Sequence, residues 1–303
     1  MVSDALAAPT TSTAGRTRQV VGDYVSLTKP RIVELLLVTT VPAMLVAAGG
    51  WPGTRLVAAT VLGGALVSGS AHATNMVYDR DIDAAMDRTA ARPLPAGRIS
   101  PSAGLVFAVA LLVVGTGLLL TLVNWQAAAL TVAAWLWYVV VYTLLLKRRS
   151  DQNIVIGGAA GALPPVIGWA AVTGTTPLAA WVLFIVVLLW TPTHFWALAV
   201  GTGDDYERAG VPMLTVVRGV DAAARYGLLY AVATVVASLG LPLAGVGGWP
   251  LGVLALVLGA WFVARAVALV REPTATRAWR LFHGSIAYLG LLFLGVAITG
   301  LLA

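Results

Sequence analysis

The chain has 303 residues, of which 59% are hydrophobic and only 11% charged, and its mean hydropathy is +0.88. A soluble domain carries about 25% charged residues, so this composition excludes an ordinary soluble globule and defines an integral membrane protein. The absence of cysteine removes disulfides, thiolate metal sites and cysteine nucleophiles.

Residues 1–22 are rich in Ala, Thr and Ser and hold no apolar run of signal-peptide length. They predict a disordered cytoplasmic tail, with 23–303 forming a single transmembrane domain. A membrane-crossing helix needs roughly 20 mostly apolar residues. Nine stretches meet that need, at about Ile32–Ala48, Leu56–Met76, Ala103–Leu122, Ala127–Leu146, Ile154–Val172, Leu178–Val200, Tyr226–Val246, Leu251–Val270 and Leu281–Ala303. Each is too long and too uniformly apolar for a barrel strand. Turn residues separate them, as in Gly49-Gly50-Trp51-Pro52-Gly53, Thr173-Gly174-Thr175-Thr176-Pro177 and Gly247-Gly248-Trp249-Pro250. The expected fold is all-α: a polytopic membrane protein with nine transmembrane helices bundled around a central cavity that opens to the cytoplasmic side.

The loops alternate in charge. Of the 19 basic residues, 18 fall on one face of this topology and only Arg55 on the other. The basic face is cytoplasmic by the positive-inside rule, so the N-terminus lies inside and the C-terminus outside a plasma (inner) membrane. The net charge of +6 is thereby a topology signal spread over several loops, and it excludes a nucleic-acid partner.

Ionisable residues in membrane helices mark functional sites. Here they gather at the cytoplasmic ends: Glu34, His72, His194 and His283. An ion-coupled transporter would place charges or broken helices near the midplane, so this pattern disfavours one. The strongest constellation is Asn75, Asp79 and Asp83, spaced Asn-x3-Asp-x3-Asp. On a helix they share an arc of roughly 80° and span about 12 Å of axis. That is too far for one octahedral ion but suits one or two Mg²⁺ ions bridged by a diphosphate. A calcium loop starting at Asp79 fails, because Ala84 and Ala90 stand where Gly and Glu are required.

A second acidic group, Asp204-Asp205-Tyr206-Glu207-Arg208, follows the sixth span on the same face as the first. The second and sixth spans thus both end in acids, four apart, which hints at an internal four-helix repeat. Lys147, Arg148 and Arg149 could pair with diphosphate oxygens or simply anchor the fourth span. Gly157, Gly158 and Gly161 suit close helix packing, and Pro164-Pro165 should break the fifth span.

At these residues the chain resembles the UbiA-type intramembrane prenyltransferases. Asn75, Asp79 and Asp83 match that family's first aspartate motif, followed by Arg88, Thr89, Arg92, Pro93 and Leu94. The strings TKPRIVELLLVTT, KRRSDQNIVIGGAAGALPPVIGW, HFWALA and DDYERAGVPML are similar to its heme O synthase branch. The resemblance implies a Mg²⁺-dependent transfer of farnesyl from farnesyl diphosphate to a vinyl group of heme B, giving heme O and diphosphate. The setting is the lipid bilayer, with a heme A synthase downstream. It implies Asn75, Asp79, Asp83 and Asp205 as magnesium ligands, and these with Tyr206 as catalytic residues. Arg80, Arg88, Arg92, Lys147, Asn153, His194 and Arg208 become substrate contacts, and Tyr78, Trp196 and Tyr206 faces for an allylic cation. Two departures stand out. The second motif is the adjacent pair Asp204-Asp205, and Val200-Gly201-Thr202-Gly203 replaces basic residues, leaving Arg208 or Lys147 to supply the cation. The alternatives are another aromatic prenyltransferase acting on a quinone precursor, or a non-enzymatic membrane transporter.

Overall fold

The computed structural model describes residues 13–203 and 205–303, with the side chains of 13, 14 and 31–37 left out. Residues 1–12, the Glu34 side chain and Asp204 therefore lie outside the described residues. The described chain is helical throughout, and none of it forms a strand. Lipid offers the backbone no partners, so its N–H and C=O groups must be satisfied within the segment.

The order is α1 (Thr13–Leu27), α2 (Pro30–Ala48), α3 (Thr54–Tyr78), α4 (Arg80–Ala85), α5 (Pro101–Leu122) and α6 (Trp125–Leu136). α6 runs on without interruption as a π-helix, Trp137–Leu146. Then come α7 (Asn153–Ala162), α8 (Pro164–Thr173), α9 (Leu178–Thr202), α10 (Asp205–Arg208), α11 (Leu214–Val217), α12 (Gly219–Leu239), α13 (Gly248–Arg271) and α14 (Ala275–Leu302).

Eight of these spans are long and apolar enough to cross a membrane among the described residues, where nine were expected. The remaining one is α2, whose described apolar part is Val38–Ala48. Residues 13–22, expected in a disordered tail, are helical in α1. They contain no proline, and their two glycines, Gly15 and Gly22, each cost only about 1 kcal/mol against alanine, so nothing in them stops a helix. α12 and α14 start about seven and six residues before the expected spans, because their first turns are polar and carry no hydropathy signal. Pro164 and Pro165 divide the fifth span as expected, since proline cannot donate to the preceding turn.

Local signals fix the ends. Ser100 caps α5, its Oγ accepting from Ala103 N at 3.2 Å, with Pro101 in the first turn. Asn124 caps α6 through Ala127 N at 2.8 Å, while its Nδ2 donates to the Ala170 carbonyl of α8 at 2.9 Å. One side chain therefore starts one helix and ties it to the end of another. The outer faces are apolar and exposed, for example Val106, Val109 and Val113 on α5, as a lipid-facing surface requires.

The bundle core joins α9, α12, α13 and α14 around Leu183, Phe262, Tyr288 and Phe293. α3 packs along α5 at a close crossing. A Cβ on Gly115 would lie 2.9 Å from the Gly63 carbonyl oxygen and from Leu66 and Val67 side chains. Backbones meet here without side chains between them, the usual means of helix association in lipid. Gly115→Leu should lower stability by about 1–3 kcal/mol. Gly117→Leu, two residues on with open space around it, should leave the thermal unfolding midpoint in detergent unchanged.

Candidate active site

The last turns of α3 and the first of α4 carry the first acidic motif. Asp79 joins the two helices with φ −90° and ψ 10°, but helical bonding continues across it: Asp79 N to Asn75 O and Asp83 N to Asp79 O, both 2.8 Å. Asn75, Asp79 and Asp83 thus follow one another at i, i+4 spacing, and all are buried, Asp79 to 1% exposure.

A buried carboxylate is stable only with partners. Asp79 has Lys147 on Oδ2 and Arg148 on Oδ1 at 3.4 Å, and it accepts from Asn75 Nδ2 at 2.6 Å. Asp83 pairs with Arg92 at 2.8 Å, and Thr89 Oγ1 donates to its carbonyl at 2.7 Å, folding the following loop back over it. Lys29 donates from Nζ to Asn75 Oδ1 at 3.0 Å. Lys29 is the one non-glycine residue with positive φ among the described residues, at φ 49° and directly before Pro30. Such strain persists where surroundings enforce it, and here it delivers an amine to the acids. Loss of solvation, then the charges of Arg92 and Lys147, push that amine down to about 7, against the pull of Asp83 and Asp79.

The π-helix supplies the facing wall. In an α-helix, nine residues turn through about 900°, placing positions 138 and 147 on opposite sides. With i→i+5 bonding and a turn of about four and a half residues, nine residues close roughly two turns. The Lys147 N to Tyr142 O bond of 2.8 Å shows that spacing. Tyr138, Thr143 and Lys147 consequently all face α3: Tyr138 Oη meets His72 Nδ1 at 3.3 Å, Thr143 Oγ1 meets Asn75 Nδ2 at 3.1 Å, and Lys147 meets Asp79. Gly157 of α7 leaves room for the Tyr142 ring, since a Cβ there would lie 2.3 Å from it.

The second acidic group approaches the first. Tyr206 packs with Ile82, Met86, Val211 and Met213 in one apolar cluster. Arg208 pairs with both Asp205 and, at 2.7 Å, Asp87. Burial pushes the Tyr206 hydroxyl up, against the opposing charge of Arg88. A groove of about 200 Å³, lined by Asp81, Ile82, Ala85, Arg148, Arg208 and Ala209 to Val211, lies between the two groups. The acids that follow the second and sixth spans therefore converge on one region.

Other expected residues are placed differently. Arg80 is exposed and donates to the Val77 carbonyl at 2.9 Å, away from the acids. Tyr78 is exposed and carries the Arg148 guanidinium on its ring at 4.8 Å. Trp196 sits in an aromatic group with Tyr226 and Tyr230. Asn153 is buried and donates to the Lys147 carbonyl at 3.5 Å, so it holds the loop that presents Lys147, while its Oδ1 has no partner. His194 lies between the Trp190 and Phe282 rings at 4.4 and 4.5 Å. Its Nδ1 is 2.8 Å from Ser285 Oγ, which gives its own proton to Phe282 O. With its own proton committed, the Ser285 oxygen accepts from His194 Nδ1–H. Lys29, Tyr138, Tyr142 and Thr143 were not expected. Lys29 stood in the basic tally, and the other three lie in an apolar run where only a change of helical period would reveal them.

The side chains fit a magnesium–diphosphate pair. Asn75, Asp79, Asp83 and Asp205 each have a side-chain oxygen to offer, the donor Mg²⁺ takes. Among the described residues no three acidic or histidine side chains converge tightly enough to hold an ion alone. Phosphate oxygens would complete its shell, as in many Mg²⁺ substrate sites.

The helical membrane bundle places the chain in a class of membrane-embedded proteins whose fold it shares with solved UbiA homologues. A homologue from Aeropyrum pernix superposes with a TM-score of 0.70 at 18% identity, over 88% of this chain and 98% of that one. One from Archaeoglobus fulgidus with DMAPP and Mg²⁺ bound gives 0.62 at 17%, over 88% and 99%. The chain belongs to the UbiA prenyltransferase family, whose model matches residues 36–295. The protoheme IX farnesyltransferase of Clavibacter michiganensis is 50% identical over 92% of both chains. That of Frankia casuarinae is 51% identical over 92% of this chain and 97% of its own.

Arg148 holds the Asp81 carboxyl down to about 2, from an ordinary 3.8, by a direct hydrogen bond. The pair then stabilises the fold above pH 4, and this contribution is lost as pH falls toward 2. Asp81 is exposed, so the contribution is below about 1 kcal/mol. The stability margin of the native chain over Arg148→Gln should be flat from pH 7 to 5 and shrink between 4 and 2, in thermal unfolding in detergent.

Proposed function

We propose that the chain is a protoheme IX farnesyltransferase: it transfers farnesyl from farnesyl diphosphate to a heme B vinyl group, with water adding to the product, giving heme O and diphosphate. The observation that carries the substrates is the 50% identity to relatives of that activity over nine-tenths of both lengths. The buried acid patch with its cations supports the chemistry.

Asn75, Asp79, Asp83 and Asp205 would hold Mg²⁺, which when bound neutralises charge on the leaving diphosphate. Lys29, Arg92, Lys147 and Arg208 stand around the same acids and supply N–H donors for diphosphate oxygens. The apolar helices below the patch shelter the farnesyl chain and keep water from the reacting carbon. The rings of Tyr138, Tyr142 and Tyr206, close to the acids, offer faces to positive charge on that carbon. No side-chain nucleophile is required, in keeping with a chain that has no cysteine. The heme O made here would pass to a heme A synthase. The site faces the cytoplasm of a plasma membrane, by the charge bias of the loops.

Membranes supplied with heme B, farnesyl diphosphate and Mg²⁺ should yield heme O by mass analysis of extracted heme. Asp79→Asn and Asp83→Asn should each lower that yield by about 100-fold or more. Unchanged yields, or prenylation of a quinone precursor in place of heme, overturn the reading. Because the chain lacks cysteine, single replacements report topology. Thr175→Cys should react with an impermeant maleimide on intact cells, and Ser150→Cys only after lysis.

A further inference from the structure

Thr143 has no chemistry to perform in the proposed transfer, yet it is fully buried. Its hydroxyl proton goes to the Tyr138 carbonyl at 2.9 Å. The oxygen can therefore only accept from Asn75, 3.1 Å away. Asp79 Oδ2, the second acceptor beside Asn75, lies 2.6 Å from the same Nδ2. Across the amide Lys29 Nζ donates to Oδ1 at 3.0 Å. Two acceptors on one side and a donor on the other leave the amide a single orientation. Oδ1 keeps a second lone pair beyond the one that Lys29 uses.

The π-helix makes this arrangement possible. In an α-helix a threonine hydroxyl donates to the carbonyl four residues back, here that of Val139. In this segment the acceptor is five back, at Tyr138. The same wider turn brings Thr143 and Lys147 against successive members of the Asn75–Asp79 pair.

We propose that Thr143 is a positioning residue that turns the Asn75 carbonyl oxygen, not its NH₂, toward the bound ion and diphosphate. The inference rests on the reading of Asn75 as an ion ligand. Without the threonine the NH₂ keeps only Asp79 as acceptor, a carboxylate the ion would itself engage, so the amide can turn over and present N–H dipoles to the cation.

The test is Mn²⁺ binding to the purified full-length protein with inorganic pyrophosphate, followed by electron paramagnetic resonance, alongside thermal unfolding. Thr143→Val should weaken Mn²⁺ binding about tenfold, the scale seen when a ligand's hydrogen-bond partner is removed. Thr143→Ser, which keeps the hydroxyl, should stay within about twofold of native. In an Asn75→Asp background, where both ends of the side chain are oxygen, Thr143→Val should have no further effect. Thr143→Ala replaces the valine variant if that one does not fold. Native-like Mn²⁺ binding by Thr143→Val, with binding lost in Asn75→Ala, overturns the positioning role alone. Native-like binding by Asn75→Ala overturns the ligand reading and the inference with it.

Discussion

Asp79 is a charge sealed at the end of an apolar bundle, and much of the surrounding structure is arranged to make that tolerable. A carboxylate this deep is costly unless it is paired and its lone pairs are filled. Lys147 and Arg148 come from the loop after the π-helix, and Asn75 comes from one turn earlier on the same helix. Each supporter has its own support. Asn153 holds the Lys147 carbonyl, Thr143 and Lys29 hold Asn75, and Arg148 is braced by Asp81 and the Tyr78 ring. Removing Thr143 or Lys29 leaves the buried Asn75 amide short of a partner, so this part of the patch behaves as a single unit.

The two halves of the chain build this patch in the same way. α3 ends in the short acidic α4, and α9 ends in the short acidic α10. Ile82 and Met86 from the first join Tyr206, Val211 and Met213 from the second, so apolar side chains under the acids fix the approach. Arg208 closes the gap above by holding Asp205 and Asp87 together.

Much of this was legible in the sequence. Long apolar runs gave the helices, because a bilayer admits few other backbones, and i, i+4 spacing put Asn75, Asp79 and Asp83 on one face. Helix starts were less legible where polar turns extend an apolar core, as in α12 and α14. α1 was missed because hydropathy does not register a polar helix. Arg80 shows the limit of motif reading: it neighbours Asp79 in sequence but caps the helix behind it. Lys29 was hidden by its count as one more cytoplasmic cation, and its backbone strain has no sequence signal beyond the following proline. Tyr138, Thr143 and Lys147 were scattered around the helix by an α-helical period, and only the π register gathers them.

That register also changes how far the fourth span reaches. Its 22 residues would measure about 33 Å as an α-helix, slightly more than the roughly 30 Å of hydrocarbon. A wider turn advances less along the axis per residue, so the segment ends short of that length. Lys147 is thus drawn along the helix axis toward the buried Asp79, with which it pairs. The length of the fourth span and the place of its terminal cation are set together by the winding of one helix.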